Sequence, residues 1–177
     1  MATIKELRES LASARKEIEA QLPKIVSEMA HSAKVLAEKN IINDGFGAEY
    51  SKNEVPAFFF LGKELNNSGK AFIQKKIKNG EGMNWMALRE AQGLPSDHVT
   101  LSYSNEMWRG ILVLNVEKSG TKFLAMLGST TISGKDKMAW NYERFGDFII
   151  MALGLKENEF LAEQAIDDVL TIIKRYL

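Results

Sequence analysis

The sequence predicts an α+β fold, with an antiparallel β-meander or hairpin sheet covered by a long N-terminal amphipathic helix and a C-terminal helix. Three observations carry that expectation. Apolar residues recur at three- and four-residue steps from Ile4 to Leu36, alternating and β-branched segments gather between Val99 and Leu127, and helical periodicity returns between Asn158 and Tyr176. The 177 residues are expected to form one domain, 1–177, with a helical part over about 3–40, a strand-rich middle over about 48–127 and a C-terminal helix over about 158–176.

Thr3 followed by Glu6 is a capping-box pattern, in which a hydroxyl and a carboxylate satisfy N–H groups that a helix start leaves without partners. Behind it, Ile4, Leu7, Leu11, Ala14, Ile18, Leu22, Ile25, Met29 and Leu36 line one stripe, with Lys, Arg, Glu and Gln on the other side. Such a stripe packs on the chain's own sheet or on another copy of the chain. Pro23 has no N–H and crowds the carbonyl four residues back, which predicts a kink or break before the pattern resumes to about Lys39. Turn formers from Asn43 to Gly47 end the helix. The aromatic stretch around Tyr50 and Phe58-Phe59-Phe60 reads as extended, and Pro56 keeps that strand short or at an edge.

Between Lys63 and Lys78, Lys70, Lys75, Lys76 and Lys78 interleave with Phe72, Ile73 and Ile77, which gives one basic and one apolar face. Asn79-Gly80-Glu81-Gly82 reads as a turn, because its G-x-G lacks the third glycine and the buried strand that a phosphate loop needs. Asn84 to Gln92 makes a short helix carrying Trp85, Met86 and Leu88, stopped by Gly93. Val99 to Tyr103 alternates, Ile111 to Val116 is β-branched and apolar, and Lys122 to Leu127 follows a Glu117-Lys118-Ser119-Gly120 turn, so the three form an antiparallel meander. Lys135 to Phe145 is helical or irregular, with Gly146 as its stop. The last helix carries Phe160, Leu161, Ile166, Val169, Leu170, Ile172, Ile173 and Tyr176, and ends on Lys174 and Arg175, cations that suit its dipole.

Composition excludes several functions. The chain has no cysteine, so disulfide scaffolds, thiolate metal sites and cysteine nucleophiles are ruled out. Its 23 basic and 23 acidic side chains cancel, leaving no bulk field for phosphates or an anionic membrane. The N-terminus runs into alternating charge rather than a secretory apolar stretch, and the runs Val55 to Leu61 and Phe148 to Leu153 fall far short of the roughly 20 residues of a membrane helix. No cofactor or metal is expected, since neither His31 nor His98 has ligand-like neighbours. Asp97 and His98 enter a strand as adjacent residues, so they point to opposite faces and the carboxylate is poorly placed to orient the imidazole. Glu157 with Glu159, and Asp167 with Asp168, read as helix-surface charge. Trp85, Trp108, Trp140 and the eight Met fill a core or form an adaptable binding surface.

The stretch LREAQGLPSDHVTLSYSNEMWRGILV from Leu88, a glycine-containing hairpin and then KMAWNYERFGDFI resemble the tail-completion or neck proteins of long-tailed bacteriophages. Val99-Thr100-Leu101-Ser102-Tyr103-Ser104-Asn105-Glu106-Met107 is similar to that family's strand entrance before the hairpin, with Asn105 where glycine is usual. Tyr142-Glu143-Arg144-Phe145-Gly146 is similar to its later tyrosine-x-x-phenylalanine-glycine element, and Phe46-Gly47-Ala48-Glu49-Tyr50-Ser51 to its entrance to the first strand. The resemblance implies a non-enzymatic structural protein of a phage or prophage virion, assembled in the bacterial host cytoplasm into a ring, hexameric by the resemblance, where the portal meets the tail. Its implied partners are copies of itself and other neck and tail proteins, with no membrane, no nucleic acid and no small-molecule substrate.

Aromatic and arginine anchors dominate desolvated interfaces, so the candidate contact residues are Trp108 and Arg109 at the hairpin entrance and Trp140, Tyr142, Arg144 and Phe145 near the later element. Two alternatives remain open. One is a nucleic-acid-contacting module using the Lys70–Lys78 basic face, and the other a small hydrolase or transferase built around His98.

Overall fold

A computed structural model describes residues 3–63, 65–101 and 106–177 and has the α+β class. In chain order the elements are α1 (Ile4–Asn43), β1 (Val55–Pro56), a 3-10 turn (Ala57–Phe60), α2 (Asn67–Lys78), β2 (Gly82–Met83) and α3 (Trp85–Ala91). They continue with α4 (Glu106–Gly110), β3 (Ile111–Ser119), β4 (Lys122–Ser129), α5 (Ile132–Phe145), α6 (Phe148–Met151) and α7 (Leu155–Lys174). Two compact units result, one from the chain up to Glu38 together with Met107–Leu177, the other from Lys39–Glu106.

The expected capping box starts α1: Glu6 N–H donates to Thr3 Oγ1 at 3.3 Å and Thr3 N–H to Glu6 Oε2 at 2.7 Å. Those bonds hold the Glu6 carboxyl below its ordinary value. Of the kink or break predicted at Pro23, the break does not occur, since one continuous helix of 40 residues, roughly 60 Å along its path, runs through it. Proline costs a helix interior about 3 kcal/mol, and the stripe is buried or half-buried on both sides of it, at Ala14, Ile18, Leu22 and Ile25. That burial outweighs one lost backbone bond. Only the first turns, with Ile4, Leu7 and Leu11, leave the stripe exposed.

In the Lys39–Glu106 unit the core is Ala57, Phe60, Ile73, Met83 and Leu88, with Trp85 set edge-on to Phe60 at 5.1 Å. The predicted strand at Phe58–Phe60 is a correction: only Val55 and Pro56 pair, with Met83 and Gly82, and the chain then coils into the 3-10 turn. Coiling buries Ala57 and Phe60 together, which period-two alternation would have placed on opposite faces. Phe58 and Phe59 are left stacked on each other in the open at 4.8 Å. Asn66 and Asn84 cap α2 and α3, each accepting an N–H three residues on at 2.9 Å.

Val99–Leu101 is a second correction, since it is not a strand. Val99 N–H reaches Ala48 O at 3.0 Å, but Leu101 sits at φ 49°, and an extended segment cannot run through a left-handed residue. Ser102–Asn105, the remainder of that predicted strand and family-like element, lie outside the described residues. The meander is therefore a hairpin of β3 and β4.

In the other unit the hairpin is antiparallel from Ile111↔Ser129 to Ser119↔Lys122, with one irregularity: Val113 pairs Leu127 while Asn115 pairs Met126. Leu114 is the extra residue of a β-bulge. Strict alternation would turn Val116 outward with Leu112 and send Asn115 and Glu117 inward. The bulge reverses that parity, so Val113 and Val116 share the inner side and Glu117 faces solvent. Leu114 lies over Gly128, where an added Cβ would stand 2.5 Å from Leu114 Cδ1. The element lying along β4 is α5, capped by Thr131 Oγ1, which accepts Gly134 N–H at 3.1 Å. The core of this unit includes Met107, Trp108, Ile111, Phe148, Ile149, Leu161 and Ile172. The C-terminus is tied to α1, as Glu17 accepts from Arg175 Nη1 at 2.8 Å and from the Tyr176 hydroxyl at 2.6 Å.

Candidate assembly surfaces

The six residues singled out as contact anchors separate into two groups. Trp108 is a correction: α4 turns its indole wholly inside, edge-on to Phe148 at 5.9 Å and 83°. A side chain already enclosed by its own unit has no surface to offer a partner. Arg109, the next residue, is exposed, because a 100° step on a short helix carries it off the buried side.

On α5 the buried strip passes through Gly134 and Asn141, and Trp140 and Tyr142 emerge on either flank of it, 57% and 60% exposed. Arg144 lies one turn from Trp140 and places its guanidinium 5.3 Å from the Trp140 ring centre and 4.9 Å from that of Phe145, which is half-buried. This Arg–Trp pair joins two planar groups in the open, the residue types that anchor desolvated interfaces. Tyr142 faces another way, so α5 presents two separate contacts.

The hairpin adds a surface that sequence reasoning left unmarked. On its outer side Leu112, Leu114, Leu124 and Met126 are 45–57% exposed, interrupted by Asn115 and Glu117, which hydrogen-bond each other at 2.7 Å. Within the described residues this sheet has two strands only, so each strand keeps an unpaired edge. The available signal was the run of apolar residues at both odd and even positions, which a ribbon covered on one side does not need.

On α2, Lys70, Lys75 and Lys78 are exposed. Lys76 is held apart from them by Glu81, 2.6 Å away, and by the Phe72 ring beneath it. With a further bond from Asn79, Lys76 keeps the Glu81 carboxyl below its ordinary value. A cavity of about 420 Å³ beside this turn is lined by Glu54, Val55, Phe58, Ile77 and Glu81 among others. One of its two carboxylates is thus already neutralised.

His98 is built into the fold. Its Nε2–H donates to Ile42 O at 3.0 Å, satisfying a carbonyl that the end of α1 leaves over, and Nδ1 lies 3.0 Å from Asp97 Oδ1. The expectation that Asp97 would point away is corrected, because the pair sits in a bend and not in a strand. Hydrogen bonding to His98 lowers the Asp97 carboxyl. Gly45 explains why the ring fits: it stands at φ 74°, and a Cβ there would lie 2.8 Å from His98 Cβ.

A buried polar network was also not foreseen. Arg89, 3% exposed, donates from Nε to Pro95 O at 2.7 Å and from Nη2 to Thr100 Oγ1 at 2.9 Å, and stacks over Tyr50 at 5.0 Å. The Tyr50 hydroxyl accepts Thr100 N–H at 3.2 Å. Arg89 thus ties α3 to the Pro95, Thr100 and Tyr50 segments, and Tyr50 ties its own loop to Thr100. Among the described residues no group of three or more His, Asp or Glu is placed to hold a metal, and no helix is long and apolar enough to cross a membrane.

Comparison with protein-family models, with curated proteins and with solved structures finds no match to this chain.

Proposed function

We propose that this chain is a non-enzymatic structural protein of a phage or prophage particle, a tail-completion or neck component at the head–tail junction that works by assembling into a ring of copies. The observation that carries this reading is the outer side of the β3–β4 hairpin. Four large apolar side chains stand in solvent there, on a sheet of two strands among the described residues, and their exposure is a cost that association removes. The exposed Trp140–Arg144 stack supports it further. The resemblance in Tyr142–Gly146 and around Val99–Met107 supplies the setting, a particle neck.

The hydrolase alternative draws no support from His98, whose two ring nitrogens are engaged by Ile42 and Asp97. Deleting the gene from the phage or prophage that carries it should leave heads and tails unjoined in electron micrographs. Intact infectious particles without the protein would overturn the proposal.

A further inference from the structure

We infer that the acidic outer face of α7 in one copy seats the lysine face of α2 in the next, so that the ring closes through two different patches of one chain. This rests on the assembly reading above and names its contact surfaces. On α7, Glu159, Phe160, Glu163, Ile166, Asp167 and Leu170 are all exposed, and at 100° per residue they fall within an arc of about 120°. Leu161 and Ile172 on the far side are buried. Three acids therefore stand among three apolar side chains that are 40–56% exposed. On α2, Lys70, Gln74, Lys75, Ile77 and Lys78 are exposed over an arc of about 160°, the buried Gly69 and Ile73 lie outside that arc, and the helix contains no acid.

The two rows match in length as well as in sign. Lys70 and Lys78 are eight residues apart, as are Glu159 and Asp167, so each set spans about 12 Å along its helix, the acids within about 80° of arc and the lysines within about 140°. Elsewhere this protein neutralises helix charge locally: Arg15–Glu19, Lys24–Glu28 and Lys34–Glu38 on α1 are all pairs one turn apart. The α2 and α7 rows depart from that habit: among the described residues none of their six charges makes a direct ion pair, and only Lys75 feels a nearby acid, Glu81, which Lys76 already holds. Equal rows repel, so the complement of each is the opposite row, and two patches of unlike sign on one chain make a head-to-tail interface.

The test is a charge exchange on the full chain, with association read by sedimentation velocity across concentration and salt, and folding checked by circular dichroism. K70E/K75E/K78E and E159K/E163K/D167K should each raise the concentration for half-assembly by at least about a hundredfold. An equimolar mixture of the two should recover it, since each variant then offers the row that the other lacks. Two outcomes overturn the inference. If the wild type assembles and neither variant shifts it, or the mixture does not recover, the copies meet elsewhere and the neck reading stands. If the wild type stays monomeric at every concentration, the interface between copies does not exist. Loss of duplex-oligonucleotide binding in the α2 variant, with assembly unchanged, would assign the lysine row to nucleic acid instead.

Discussion

Replacing Trp108 by alanine tests the division of the aromatic residues between core and surface. The indole is fully enclosed and rests edge-on against Phe148, so truncation removes its buried area, leaves a cavity and ends the ring contact. Buried Trp→Ala changes cost about 3–5 kcal/mol, and an aromatic pair adds about 0.5–1.5 kcal/mol beyond area. At about 2–4 °C per kcal/mol for a chain of this size, the melting temperature should fall by roughly 7–26 °C. Trp108→Phe separates packing from polarity. Nε1 is buried without a hydrogen-bond partner among the described residues, so phenylalanine gives up some volume but also an unsatisfied donor, whose burial costs about 1–3 kcal/mol. Its melting temperature should stay within about 4 °C of wild type. Trp140→Ala, at an exposed site, should change stability by no more than about 0.5 kcal/mol. Circular dichroism melts of the three variants decide the matter. A Trp108→Ala protein that melts within about 2 °C of wild type would refute the argument and return that side chain to the surface.

Arg89→Met keeps an apolar stem but removes two charge-assisted hydrogen bonds to Pro95 O and Thr100 Oγ1, so it should destabilise the Lys39–Glu106 unit by about 3 kcal/mol, and Thr100→Val by about half as much. Urea titrations measure both, and unchanged midpoints would show that the network is dispensable. The Tyr176 hydroxyl donates a hydrogen bond to the Glu17 carboxylate, and that bond, with burial and the Glu17 charge, raises the Tyr176 pKa above the ordinary tyrosine value of 10.0. A group whose folded pKa is raised stabilises fully below its unfolded value, and that contribution fades as pH climbs through the raised one. The tie between α1 and the C-terminus should therefore hold at neutral pH and weaken in alkali beyond about pH 10. A phenolate absorbance titration that finds all four tyrosines ionising at the ordinary value would contradict it.

What could be read in advance was local. The capping box at Thr3 and Glu6, the three- and four-residue periodicity of α1 and α7 and the β3–β4 hairpin all depend on residues a few positions apart, and all formed. The break expected at Pro23 did not form for the complementary reason, since proline's cost is local but the burial of Ala14 and Ile25 on either side of it comes from the rest of the unit. Among the assembly candidates, Arg109, Trp140, Tyr142 and Arg144 are exposed, which leaves them available to a partner. Trp108 is not.

The sequence by itself determined where α1 and α3 start, which residue types share a helix face, and that the chain holds no thiol, because these depend on neighbouring residues and on composition. Only the tertiary structure decided which tryptophan is enclosed, that a bulge at Leu114 would turn Glu117 to solvent, and that His98 would be spent on the last carbonyls of α1. Burial and hydrogen-bond partners are set by groups distant along the chain, such as Phe148 for Trp108 and Ile42 for His98. No local pattern encodes such pairings, because they come into existence when the chain packs.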